Sequence, residues 1–349
     1  CICRPCGGMA VDRMNARTQA AAAFVRAAGW ADATIEPLSG DASFRRYFRV
    51  AAGPHQGILM DAPPDREDVG PFLQIGATLR AFGFAAPEVL ASDAAQGFLL
   101  LEDLGDDLFN VVLRAGEDER PLYDAAVDVL RDLHRRDVPE GVPVFDAARI
   151  LREVSLFVEW ALPALLGEAP SSQTTDTFEE LWQDAMAPLL VARPVLCLFD
   201  YHAENLIWLP QRQGLKRVGL LDFQDAVAGP PAYDLVSLLE DARRDVSPSV
   251  VAHELARYLD DMPRDQHDLF RASYAVAGAQ RNTRILGVFG RLFLRDNKPG
   301  YLSLMPRVWR HLENDLQSPN LKGLRAWFDA QVPEELRRFA PDPQTFVAP

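Results

Sequence analysis

The chain has 349 residues, 48% apolar and 25% charged, and a formal net charge of −14. That balance describes a folded protein, excludes a disordered one, and leaves room for two unequal domains. The acidity argues against a nucleic-acid groove, which needs a basic footprint. No apolar run reaches the roughly 18 residues of a membrane span, and no signal peptide is evident, so a cytoplasmic location without a membrane partner is expected.

Cys1, Cys3 and Cys6 crowd the first six residues, and Cys197 stands alone in an apolar run. A C-x-C-x-x-C triplet without a fourth ligand makes a poor metal site. Gly7-Gly8-Met9 suggests a tag or upstream extension, so residues 1–14 are read as a loose tail. An Ala-rich amphipathic helix is expected over 15–28, stopped by Gly29. Short strands follow at 33–38, 44–50 and 57–61, then a helix over 67–82 and strands at 87–91 and 97–101. Residues 15–103 therefore form a small β-rich lobe.

From 104 to 340 the pattern is mainly helical. Helices are expected at 121–136, 146–166 and 174–190, followed by brief strands at 195–199, 206–208 and 217–221. Helices resume at 233–244, 248–260, 264–294, 301–315 and 320–330, and 341–349 is a Pro-containing loose tail. The predicted fold class is α+β, with two lobes of unequal size.

Two of the brief strands end in acids. Val195–Phe199 delivers Asp200, Arg217–Leu221 delivers Asp222, and Asn205 lies between. Magnesium takes hard oxygen ligands and keeps several waters, so an Asn amide oxygen and one carboxylate suffice beside phosphate oxygens. A second carboxylate left unliganded can accept a hydroxyl proton. This is the division of labour in kinase-type phosphoryl transfer, and the bland reading is that each Asp merely caps a turn.

The segments Asp200-Tyr-His-Ala-Glu-Asn205 and Leu221-Asp-Phe-Gln-Asp-Ala-Val-Ala-Gly-Pro-Pro-Ala-Tyr-Asp234 resemble the aminoglycoside phosphotransferase and choline kinase-like family. Its pattern is His-Gly-Asp-x-x-x-x-Asn, a strand ending in Asp, then Asp-Pro-Ala-Tyr-Asp. The resemblance covers about residues 35–245 and implies a protein-kinase-like fold and the cofactors ATP and Mg²⁺. It implies Asp200 as base, Asn205 and Asp222 as metal ligands, and Asp234 as a structural acid. It also places Gly40 and Ser43 in a phosphate-covering turn, and Glu102 and Asp103 at the adenine hinge. His134 is read as a packing residue.

Two departures stand out. Leu198, followed by Phe199, occupies the family's His-Gly position, and Met60 stands where a phosphate-binding Lys is usual. Strand alternation puts Arg45, Tyr47 and Arg49 on one face. Those arginines either replace the lysine's charge or lie in solvent.

For the acceptor, Asp41–Phe48, Met60–Pro64, the catalytic loop and Gln280–Gly287 look most like the kinases of N-acetylmuramate and N-acetylglucosamine. Those act at the C1 hydroxyl in bacterial cell-wall recycling. Residues 271–310 hold eight Lys/Arg against one acid, Asp296. Arg281, Arg284, Arg291 and Arg295 share a helical face. The stripe either welcomes an anionic sugar, with Arg281 on its carboxylate, or is satisfied by acids elsewhere. His202, Glu204 and Asp225 are expected at sugar hydroxyls. Alternatives are another alcohol acceptor (aminoglycoside, choline or homoserine) and a pseudokinase that binds without turnover.

Overall fold

The computed structural model describes residues 7–38, 44–344 and 346, with side chains from residue 16 onward. The three N-terminal cysteines and the expected turn at Gly40 and Ser43 lie outside the described residues. The chain begins with α1 (Gly7–Ala27), β1 (Thr34–Pro37), β2 (Arg46–Ala52), β3 (His55–Asp61), α2 (Gly70–Ala81), β4 (Val89–Asp93) and β5 (Phe98–Glu102). Six helices follow: α3 (Phe109–Arg114), α4 (Glu119–Leu133), α5 (Ala147–Leu156), α6 (Leu162–Leu166), α7 (Ser172–Ala185) and α8 (Ala187–Leu190). Then come β6 (Val195–Cys197), β7 (Leu206–Trp208), β8 (Val218–Leu220) and β9 (Val227–Gly229). The remainder is α9 (Ala232–Leu239), α10 (Pro248–Asp260), α11 (His267–Leu294), α12 (Met305–Asp315), α13 (Lys322–Gln331) and α14 (Glu334–Arg338). Among the described residues no helix is long and apolar enough to cross a membrane.

These elements fall into two compact units: Cys1–Asp107 with Leu209–Gln224, and Leu108–Trp208 with Asp225–Pro349. Helix α1 starts at Gly7 rather than 15, because Met9, Ala10, Arg13 and Met14 are good helix formers. Residues 209–224 depart from the expected single boundary after 103 and belong with the first unit. Their side chains show why: Phe223 stacks on Phe72 at 4.9 Å, Arg212 pairs with Glu102 at 2.7 Å, and Leu220 N donates to Ala85 O.

The first unit carries an antiparallel sheet in the order β1-β2-β3-β5-β4. Alternation turns Val50, Leu59, Phe98 and Leu100 to one face, where Ala21 and Val25 of α1 meet them. Burial of each large apolar side chain there contributes about 1.5–3 kcal/mol. The opposite phase of the register sets Tyr47 across from Met60, and Met60 across from Leu99.

The second unit is built around α11. An aromatic cluster of Phe157, Phe178, Trp309, Trp327 and Phe328 packs with ring centroids 4.6–6.4 Å apart. The helix expected over 146–166 is broken by a π-helical turn at Phe157–Ala161. Gly287 of α11 lies against that break: a Cβ there would stand 2.4 Å from the Leu156 carbonyl carbon. The close approach of the two backbones therefore requires a residue without a side chain.

Candidate active site

The candidate residues fall in both units. In the second, β6 pairs antiparallel with β9, and the chain leaves β6 through Leu198 and Phe199 to reach Asp200. Phe199 has φ 73°, a left-handed conformation costing roughly 1–2 kcal/mol for a residue with a Cβ. Asp234 sustains it. This acid is wholly buried and accepts hydrogen bonds from Leu198 N at 2.6 Å and Phe199 N at 2.9 Å. The Phe199 ring stacks on Tyr233, with centroids 4.8 Å apart and planes 5° apart. His134 Nε2 lies 3.8 Å from Asp234, and its Nδ1 contacts the Tyr258 hydroxyl at 2.6 Å.

Asp200 is partly buried. Burial alone would raise its carboxyl pKa, but Arg284, then His202, Arg281 and Arg243, offset this and hold it below the usual carboxylate value. The group stays ionised at neutral pH. Asn205 Nδ2 donates to the Asp200 carbonyl at 2.9 Å and also faces His202 Nε2 at 3.4 Å. Both contacts suit an amide NH₂, so the amide oxygen Oδ1 is directed elsewhere. His202 is buried, which lowers its pKa to about 4, and it is neutral under ordinary conditions. Glu204 pairs with Arg243 at 2.8 Å and accepts from Asn110 Nδ2 at 3.3 Å. Asp225 is exposed.

In the first unit Asp222 has φ 55°, and its Oδ1 accepts from Gln224 Nε2 at 2.8 Å. Arg45 Nη1 stands 3.7 Å from the same oxygen, and Arg45 Nε stands 3.7 Å from Glu67. Tyr47 is pushed up to about 12, by burial first, and interacts with Arg45. Arg49 is committed to Asp103 and Asp106, each at 2.7 Å. Glu102 is held by Arg212. Asn205 in the second unit and Asp222 in the first each carry a hard oxygen donor of the kind magnesium prefers.

The arginine stripe divides. Arg295 pairs with Asp296, while Arg307 and Arg310 pair with Asp245, so much of the basic segment is neutralised by acids. Arg281 is 2% exposed and donates to the Glu240 carbonyl at 3.4 Å, which leaves little of it for a ligand. Arg284 lies over the Phe199 ring, its Cζ 4.7 Å from the centroid. Sequence reasoning had Arg284 on the stripe without a role and missed Arg149, Glu153 and Arg243. Arg149 and Glu153 pair with each other one helical turn apart, but what brings them to the site is distant in the chain. Arg149 covers Phe199, Glu153 meets Gln280 and Arg284, and Arg243 meets Glu204, across 39 to 131 positions.

The Phosphotransferase enzyme family model matches residues 34–267. The N-acetylmuramate/N-acetylglucosamine kinase of Caulobacter vibrioides is 41% identical, over 92% of this chain and 98% of the relative. The enzyme of the same description from Pseudomonas aeruginosa is 36% identical, over 82% of this chain and 86% of its own length. An ADP-bound aminoglycoside phosphotransferase superposes with a TM-score of 0.56 at 15% identity, covering 83% of this chain and 96% of that one. At such identity the likeness speaks for the fold, an α+β kinase-like architecture. A buried acid bracing a strained turn, a family model spanning two thirds of the sequence and a relative matched almost end to end place this chain in the phosphotransferase enzyme family.

Proposed function

We propose that the chain is an ATP-dependent amino-sugar kinase that phosphorylates N-acetylmuramate and N-acetylglucosamine at the C1 hydroxyl. The observation that carries this reading is the extent of the 41% match. It covers 92% of the chain, so it reaches beyond residue 267, where the family model stops. The likeness therefore takes in part of the sequence outside the general kinase signature.

In the proposed reaction the sugar hydroxyl oxygen attacks the γ-phosphorus of ATP. Its proton passes to the Asp200 carboxylate, the bond from the β–γ bridging oxygen to phosphorus breaks, and ADP leaves. Asn205 and Asp222 are each assigned as an oxygen ligand for Mg²⁺, which when bound neutralises phosphate charge. Asp234 holds the Phe199–Asp200 turn. Arg45, beside Asp222, supplies the positive charge that Met60 lacks. Arg49 anchors Asp103 and Asp106, and Asp103 and Glu102 border the adenine hinge, whose backbone groups meet the base. Gly40 and Ser43 are assigned to the phosphate turn. His202, Glu204 and Asp225 are assigned to the sugar, with His202 acting as a neutral acceptor.

The test is an acceptor screen with ATP, read by phosphorus NMR of the product. Sugar 1-phosphates are expected from both amino sugars. Asp200→Asn is expected to lose about 10²–10⁴-fold in kcat. Phosphorylation of kanamycin, choline or homoserine in their place would overturn the acceptor. Equal inertness of wild type and Asp200→Asn toward every alcohol would favour a binding module instead.

A further inference from the structure

Four arginines surround Phe199 and Asp200, and three of them are committed. Arg243 is paired with Glu204 at 2.8 Å. Arg281 is buried at the Glu240 carbonyl. Arg149 Nε donates to Glu153 Oε1 at 2.8 Å. Glu153 is then filled from its other side, since Oε2 accepts from Gln280 Nε2 at 3.0 Å. Arg284 Nε stands 3.8 Å from that same Oε2, too far for a hydrogen bond. Its side chain is 23% exposed, and its plane is supported by the Phe199 ring, which Arg149 also covers at 4.5 Å. Among the described residues Arg284 is thus a propped, partly exposed guanidinium without a hydrogen-bonded carboxylate, and its charge is the largest of those that offset burial at Asp200.

The two proposed sugars differ in one respect that such a group can read. N-acetylmuramate carries a lactyl ether ending in a carboxylate, and N-acetylglucosamine has a plain hydroxyl at that position. A planar guanidinium binds carboxylate in a fixed fork geometry. We propose that Arg284, supported by Arg149, is the specificity-determining residue that binds the carboxylate of N-acetylmuramate. The inference rests on the amino-sugar reading above. It moves the carboxylate contact from Arg281, whose burial withholds it, to the next arginine on the same helix.

The experiment compares kcat/KM for the two sugars in wild type, Arg284→Met and Arg284→Lys. Methionine keeps an apolar stem against Phe199, and lysine keeps the charge without the fork. The ratio of kcat/KM for N-acetylmuramate over N-acetylglucosamine should fall about 10–100-fold in Arg284→Met, the loss of a charged hydrogen bond. It should fall less in Arg284→Lys, and Arg149→Met should move it in the same direction by a smaller factor. Any effect on Asp200 itself divides out of the ratio. A ratio unchanged while both rates fall would assign Arg284 to the base or to the transferring phosphoryl group and overturn the proposal. Calorimetric binding of the two sugars separates the two claims. An inert enzyme that still prefers N-acetylmuramate through Arg284 would defeat the kinase reading alone, whereas equal binding in wild type and Arg284→Met would defeat the carboxylate site.

Discussion

The two units hold their acids in different ways. In the first, carboxylates meet guanidiniums: Asp103 and Asp106 with Arg49, Glu102 with Arg212, and Asp61 with Arg17 and Arg46. In the second, such pairs recur, as in Glu204 with Arg243 and Glu153 with Arg149. The acid that braces the turn, Asp234, is instead held by two backbone N–H groups, and the buried Glu240 and Asp315 are held by the Asn282 side chain. Long side chains can adjust to one another, so ion pairs tolerate small displacements. Backbone hydrogen bonds do not stretch in this way, and a base that must meet one hydroxyl needs its position set to a fraction of an ångström. The first arrangement suits charge neutralisation, and the second suits proton transfer.

The sharpest way to break this contrast is to disturb the brace. Asp234→Asn places an NH₂ against the two N–H groups that the carboxylate receives. A loss of about 2–4 kcal/mol in urea unfolding is expected, together with a lower kcat. A stable, fully active variant would mean that the Phe199 turn holds itself.

The next effect concerns the buried acids. Burial raises the Glu240 carboxyl pKa to about 7, with Asn282 opposing. The folded state therefore keeps a proton that the unfolded chain gives up near its ordinary value. This contribution is full below about pH 4.5 and is lost as pH rises through about 7. Glu240→Gln should reduce the decline, which is on the order of 1–3 kcal/mol between pH 4.5 and 8. The decline is shared with Asp315, itself raised by burial and by Glu240. Urea unfolding of both proteins across that range checks it, and parallel curves would place the titration elsewhere. The smallest effect belongs to the first unit. Arg49→Met should cost about 1 kcal/mol or less, since its pairs are partly exposed. A larger loss would mean that the surface pairs carry more of the fold than their exposure allows.

Much of the fold was legible because turns punctuate it. Gly53-Pro54 and the short alternating runs located β2, β3 and β5 to within two residues. Helix α10 begins at Pro248, where proline at a first helical turn is a local signal. The candidate acids Asp200 and Asp222 were legible because each follows a strand, as the family pattern requires. What escaped depends on contacts distant in sequence. The π-helical turn at 157–161 follows from the approach of Gly287 more than a hundred residues later. Strand β9 is three residues long, too short for any periodicity. The commitment of Arg49 to Asp103 and Asp106 and of Arg281 to Glu240 is set by packing across 41 to 57 positions, and strand or helix alternation gives only the side a residue faces.

Met60 lies on β3 opposite Tyr47 and is 1% exposed. By the family resemblance it stands where a phosphate-contacting lysine is expected. The three lysines of the chain, Lys216, Lys298 and Lys322, all lie off the sheet. Under the proposed reading, an ATP derivative that acylates the lysine amine would find none to modify at this position. Under the assignment of Arg45 proposed above, dicarbonyl reagents, which condense with guanidinium groups, should modify Arg45, with ATP as the protectant.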